Sequence, residues 1–209
     1  MKAWSLPLKQ VAKIEKYNPC FRERHVESKR SGELLAQDTF YVGCLKGIGR
    51  VYMHAVVDTF NSYAFAYLHT SKAPECAVSV LHNDAIPFYK DKGIELQAVL
   101  TDNGREFCST ESHPYELYLA LNDIEHRRTK VRSPKTNGFI ERFNRTILDE
   151  FFRIVFREKF FDTVESLQSE LDVWLTHYNT ERPHQGYRNN GKRPINTINL
   201  YLNTVRQEA

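Results

Sequence analysis

Residues Leu34 to Thr70 read LLAQDTFYVGCLKGIGRVYMHAVVDTFNSYAFAYLHT. Three apolar and aromatic runs are separated by short polar breaks. KGIGR supplies two glycines for the first turn, and Asn61-Ser62 supplies the second. Runs of this composition joined by such short breaks predict three consecutive strands in an antiparallel meander.

Downstream, the pattern changes to alternating helix and strand. Pro74 opens a helix running to about Lys90, with Ala77, Val80, Leu81 and Ile86 as its inner face. After Gly93, the short apolar run LQAVLT (Leu96–Thr101) reads as a buried parallel strand. A helix near Pro114 to Asn122 and a short fifth strand in IEHRRT (Ile124–Thr129) follow. The expected fold class is α/β, a mixed five-stranded sheet flanked by helices, with a C-terminal helical extension.

In that extension Ile140, Phe143, Ile147, Phe151 and Ile154 recur at helical spacing. Val164, Leu167, Leu171, Trp174, Leu175 and Tyr178 form a second stripe, preceded by a capping pair, Asp162 with Glu165. Both stripes read as core packing. After Tyr187 the chain is polar, and Gly191 and Pro194 break its regularity. These readings divide the chain into an N-terminal extension (1–34), a catalytic-type core with its C-terminal helices (35–196) and a tail (197–209). The extension has a short amphipathic piece near Leu8 to Tyr17 and reads as loosely packed or partner-binding.

Composition narrows the class. Hydrophobic content is 41% and charged content 26%, sufficient for a core and unlike a disordered chain. Net charge is +3, weak evidence for a polyanionic partner. Local charge says more: Arg127 to Arg145 holds seven Lys/Arg and one acid, Glu141, a solvated or anion-binding face. The four cysteines (Cys20, Cys44, Cys76, Cys108) lack metal-site spacing, even with His25 near Cys20, and read as unpaired, mostly buried thiols. No signal-like segment opens the chain and no membrane-length apolar run occurs in it.

Three carboxylates carry the chemistry. Glu141 lies in PKTNGFIERFNR (Pro134–Arg145), where a Pro–Gly loop leads into a helix. Asp102 ends an apolar strand at TDNG (Thr101–Gly104), on the rim where ligands bind. Asp38 lies within an apolar strand, where an unpaired charge is costly and a cation would offset the cost. Each has a plainer reading: Asp102 as a turn former, Glu141 as a helix-dipole acid. Asp58 reads as a turn or capping residue rather than a ligand. Hard oxygen donors without a His or Cys pair favour Mg²⁺, with Mn²⁺ as the alternative, over zinc. Two such ions about 4 Å apart can clamp the attacking and leaving oxygens of a phosphoryl transfer.

Asp38 in QDTFYVG, Asp102 in TDNGREF and Glu141 in PKTNGFIERFNR resemble the Asp, Asp, Glu triad of the retroviral-integrase superfamily. Tyr178, Asn179, Arg182, Pro183 and His184 resemble the trailing YN-x-x-RPH signature of bacterial insertion-sequence transposases. The resemblance spans roughly residues 34 to 196, with a slightly longer Asp102–Glu141 spacing than the family's usual one.

The resemblance implies an RNase H-like fold with three antiparallel strands, then two parallel ones. It implies metal-dependent nicking that frees a DNA 3′-OH, then strand transfer by that 3′-OH into target DNA. Asp38 and Asp102 would bridge the ions and Glu141 would hold the second. By position, Asn103, Asn144 and Arg145 would orient substrate, and Lys130, Arg132 and Lys135 would contact phosphate. Arg182 and His184 would either tie down the last helix or touch DNA. Transposon ends and target DNA are the implied partners, with a homo-oligomer on DNA, no membrane, and a bacterial cytoplasmic, nucleoid-associated location.

Proteins of this kind usually carry helix-turn-helix domains ahead of the core. Only about 34 residues stand there, which reads as a catalytic portion or a truncated copy. The alternative functions are a non-catalytic copy regulating a full-length transposase and an RNase H-type nuclease.

Overall fold

The computed structural model of the chain describes residues 28–108, 113–129, 138–186 and 188–208. The expected amphipathic piece near Leu8–Tyr17, Cys20 with His25, and the expected phosphate contacts Lys130, Arg132 and Lys135 lie outside these ranges.

The meander forms as its sequence predicts. β1 (Leu34–Leu45), β2 (Gly49–Asp58) and β3 (Ala64–His69) pair antiparallel in succession. β4 (Ala98–Thr101) joins β1 in parallel and β5 (Glu125–Arg128) joins β4 in parallel, giving the order β3-β2-β1-β4-β5. The parallel arms require crossovers, and helices supply them. The first is α1 (Pro74–Val80), continuing through a π-helical turn (Leu81–Ala85) into α2 (Ile86–Asp91). The second is α3 (Pro114–Leu121). β1 bulges between Tyr41 and Gly43, beyond the part paired with β4.

Strand alternation sorts side chains to two helix-covered faces. Ala36, Met53, Ala55, Val57, Ala66 and Leu68 pack against α4 (Gly138–Ile147), α5 (Arg153–Glu158) and α6 (Val164–Thr180). Leu35, Val56, Phe65 and Val99 pack against α1 to α3 on the other face. Each large apolar side chain taken fully from water stabilises the fold by about 1.5–3 kcal/mol.

Three sequence readings are corrected in the C-terminal third. Between α4 and α5 lies a π-helical turn, Leu148–Phe152. Its wider turn shifts the apolar stripe, so Phe152 and Val155 are buried while Ile154 is exposed. The cap of α6 is Thr163, whose Oγ1 accepts from Ser166 N at 3.1 Å, not an Asp162–Glu165 pair. The segment read as an irregular tail is a helix, α7 (Pro194–Glu208). Pro194 opens it instead of breaking the chain, since proline's missing N–H costs nothing in a first helical turn. Ile198 is fully buried on the α1–α3 face and Thr197 Oγ1 donates to Asn189 Oδ1 at 2.7 Å. The cysteines also differ from expectation: Cys44 is exposed and Cys76 and Cys108 are half-buried, all free thiols.

Strand β3 is a sheet edge, and α6 closes it. Gln168 Oε1 accepts from Leu68 N at 2.8 Å, and its amide donates to Ala66 O at 3.3 Å. Asn179 Oδ1 accepts from Ala64 N at 2.9 Å and its amide donates to Ala64 O at 2.8 Å. Side chains thus satisfy backbone groups that an open edge would offer to another strand. At the end of β2, buried Asp58 accepts from Gly32 N (2.9 Å), Phe60 N (2.7 Å), Asn61 Nδ2 (2.8 Å) and the Tyr89 hydroxyl (2.8 Å). It organises the β2–β3 turn, as its sequence position predicts.

Candidate active site

Asp38 sits mid-strand in β1, on the Ala36 face that α4 covers. The parallel register runs Leu34 with Ala98, Leu35 with Val99 and Ala36 with Leu100. Carried two residues further, it sets Asp38 level with Asp102, where β4 has ended. Neighbouring strands lie about 4.8 Å apart, so the two carboxylates start from adjacent positions. β1 outruns β4, and its central residue becomes part of the sheet's C-terminal rim.

Local bonding orients each acid. Asp38 Oδ1 accepts from Thr39 N at 2.8 Å, and Oδ2 accepts from the Asn144 amide of α4, also at 2.8 Å. Asp102 Oδ1 accepts from Gly104 N at 2.8 Å, the turn geometry its Asn-Gly sequel predicts. Asn103 Nδ2 donates to Thr129 O at 3.0 Å, tying the end of β4 to the end of β5.

A fourth acid belongs to the site and escaped the sequence reading. Glu106, in TDNGREF, is buried to 8% exposure, and its Oε1 lies 3.4 Å from Lys72 Nζ. A β-carbon on Gly104 would stand 2.7 Å from Glu106 Oε2 and 2.9 Å from Asp102 Oδ1, so a larger residue there would displace both carboxylates. The signal was present as a second acid four residues after Asp102. Its burial and its approach to Asp102 depend on the turn.

Electrostatics binds the group together. Burial pushes the Asp38 carboxyl above the ordinary carboxylate range. The hydrogen bonds from Thr39 and Asn144 oppose that, while the negative charges of Asp102 and Glu106 reinforce it. Neighbouring carboxylates with mutually unfavourable charge are the donor type a hard divalent cation takes. Asp38 and Asp102, with Glu106 beside them, fit such an ion in chemistry.

Among the described residues no set of three acids, histidines or cysteines is close enough to hold a metal as the side chains stand. Glu141 is exposed on α4, one turn before Asn144. The Asn144–Asp38 bond therefore brings the Glu141 turn of the helix alongside the acids, with its carboxylate outside their cluster. Asn144 itself, expected at the DNA, is buried to 8% exposure and engaged with Asp38. Arg145 is exposed with no carboxylate partner among the described residues.

The YN-x-x-RPH segment is structural in its bonding. Asn179 holds β3, and the Arg182 guanidinium makes two bonds to Glu150, at 2.8 and 2.6 Å. His184 Nε2 lies 3.1 Å from Tyr178 O, and its ring meets the Tyr178 ring edge-on at 4.5 Å.

Models of the integrase core domain match residues 28–134 and 122–190. The putative integrase ORF3 of Spiroplasma virus SpV1-C74 is 30% identical over 159 residues, 72% of this chain and 42% of that protein. The InsD transposase of insertion element IS2D from Escherichia coli (strain K12) is 33% identical over 91 residues, 43% of this chain and 28% of its own. The chain thus spans less than half the length of these curated relatives. Its fold is that of retroviral integrase cores, an RNase H-like fold. A chain of the simian T-cell lymphotropic virus intasome, in complex with PP2A regulatory subunit B56 gamma, matches with TM-score 0.65 at 19% identity, over 85% of this chain and 58% of that one. The HTLV-2 integrase catalytic core with magnesium (trimeric form) matches with TM-score 0.58 at 16% identity, over 82% of this chain and 99% of that one.

Proposed function

Because the chain belongs to the integrase core domain family, we propose that it is a divalent-metal-dependent polynucleotidyl transferase, nicking DNA to free a 3′-OH and joining that end to target DNA. The observation that carries this reading is the β1–β4 register, which, carried two residues on, sets Asp38 level with Asp102 at the strand rim, with α4 bound to Asp38 through Asn144. Asp38, Asp102 and Glu141 would hold the metal, Mg²⁺ or in its place Mn²⁺. The magnesium complex of the HTLV-2 core supports the choice of ion. Bound there, the metal would activate an oxygen nucleophile and stabilise charge on the scissile phosphate.

The chain's own residues supply orientation. Asn144 and Thr39 N fix the Asp38 carboxylate, and Gly104 N fixes that of Asp102. Glu141, exposed on the α4 turn before Asn144, would complete the set. Arg145, four residues on and on the same flank, would take a DNA phosphate oxygen, a role its exposure supports. Asn103 would act on DNA indirectly, by holding the β4 and β5 ends together. Lys130, Arg132 and Lys135, ahead of α4 in the sequence, would add phosphate contacts. The partners would be transposon ends and target DNA, held by more than one copy of the chain. The intasome neighbour supports an assembly of that kind. No described helix is long and apolar enough to cross a membrane. A bacterial cytoplasmic setting is part of the same proposal, supported by the Escherichia coli relative.

The test is a strand-transfer assay with Mg²⁺ on DNA carrying the element's ends. Asp102→Asn and Glu141→Gln are each expected to abolish product. Full activity in either variant removes that residue from the site.

A further inference from the structure

A cavity of about 320 Å³ opens beside α4 on the flank away from Glu141. Phe139 and Arg142 of α4 form one wall, and Tyr178, Arg182, Pro183 and Gly186 form the other. Helical periodicity sets Glu141 on the other side of Arg142 from Phe139, with Arg145 between Glu141 and Arg142 on the exposed face. The carboxylate site uses none of these cavity residues.

Three features of the cavity call for an anion. Arg142 is exposed and has no carboxylate partner among the described residues, whereas Arg182 is held by Glu150. Gly186 faces the Arg142 guanidinium across the cavity: a β-carbon there would stand 4.0 Å from Nη1, an ordinary van der Waals separation. Tyr178 lines the cavity, and its hydroxyl, which makes no hydrogen bond among the described residues, is not sealed from solvent. That hydroxyl is a free O–H donor for an acceptor oxygen entering the cavity. Burial pushes the Tyr178 hydroxyl pKa up while Arg182 and Arg142 pull it down, so both guanidinium groups act on the same oxygen.

We propose that this cavity is a phosphate subsite for a DNA strand, with Arg142 and the Tyr178 hydroxyl as its donors. The inference rests on the reading that the chain acts on DNA. A carboxylate from a second copy would engage the same donors. DNA is favoured because the volume exceeds what an acidic side chain fills, and Phe139 and Pro183 offer apolar walls to a sugar or base. Arg145, three residues after Arg142 and beside it on the exposed face of α4, gives a strand crossing the helix a second cation.

The full chain is titrated into a fluorescein-labelled 30-base-pair duplex at several salt concentrations, by anisotropy. Arg142→Gln is expected to weaken binding about fivefold, uniformly across sequences, and to lower the salt slope by about one. Tyr178→Phe, which keeps the ring, is expected to weaken it about twofold with the slope unchanged. Unchanged affinity and slope in both variants overturn the subsite and leave the proposed function standing. A wild-type chain that binds no duplex overturns both. Loss of self-association in the variants, with duplex binding intact, overturns the subsite in favour of a contact between copies.

Discussion

The Asn144 amide donates to Asp38 Oδ2 over 2.8 Å, joining residues 106 positions apart in the chain. This bond connects α4 to the central strand at the carboxylate site. The other side-chain atom, Asn144 Oδ1, is buried without a partner among the described residues. The donor half of the amide is therefore what the site uses. Asn144→Ala is expected to lower strand transfer roughly 10- to 100-fold by releasing Asp38. Asn144→Asp should be worse, since it sets a carboxylate against a carboxylate. Equal activity of Asn144→Asp and wild type would remove the positioning role.

The Asp38 carboxyl is raised by burial and by its acidic neighbours, so its charge destabilises the metal-free fold at neutral pH. A carboxyl with a raised folded-state pKa contributes stability below its unfolded value, near 3.8, and loses it as pH rises through the folded value. A divalent cation would relieve that repulsion. Mg²⁺ is expected to raise Tm, at about 2–4 °C per kcal/mol of binding free energy. Asp38→Asn should raise the metal-free Tm and abolish the Mg²⁺ response. Glu106→Gln should do the first while only weakening the second. A full Mg²⁺ shift in Asp38→Asn would contradict the assignment.

His54 is fully buried between Thr39 Oγ1 and Ser71 O, and burial lowers its pKa to about 4. The unfolded chain then binds a proton that the folded one refuses. Stability is complete above about pH 6.5 and falls as pH drops towards 4, by up to about 3 kcal/mol. Burial lowers His184 in the same direction. Urea melts at pH 7, 6 and 5 should show the loss, and His54→Gln should flatten much of it. A wild-type midpoint independent of pH over this range would refute the account.

Asn179 and Gln168 close the β3 edge through four side-chain bonds to its backbone. Asn179→Ala removes two of them and leaves Ala64 N and O buried, at a cost of about 2 kcal/mol. Chemical denaturation measures this directly, and the opened edge should also promote aggregation on warming. A loss below about 0.5 kcal/mol would show that water replaces the amide.

The meander, both crossovers and the α6 stripe were legible because each follows from local alternation or helical spacing. Asp38 and Asp102 were legible as acids placed against the apolar grain of their strands. Other features had no local sign. The π-helical turn at Leu148–Phe152 moves burial from Ile154 to Val155, a one-residue shift that periodicity cannot anticipate. Glu106 becomes part of the site only when the Gly104 turn folds it against Asp102.

By itself, the sequence determined which residue types stand at which periodicity, and hence the strands, most helices and the acids available for chemistry. Tertiary structure decided how those acids meet. β1 outruns β4, so register sets Asp38 level with Asp102, and packing of α4 turns Asn144 from a surface amide into the partner of Asp38. It also gave α7 a buried face and set Arg142 and Tyr178 around one cavity. The reason is physical: local pattern records whether a side chain is buried, while the identity of its neighbour depends on chain segments a hundred residues away.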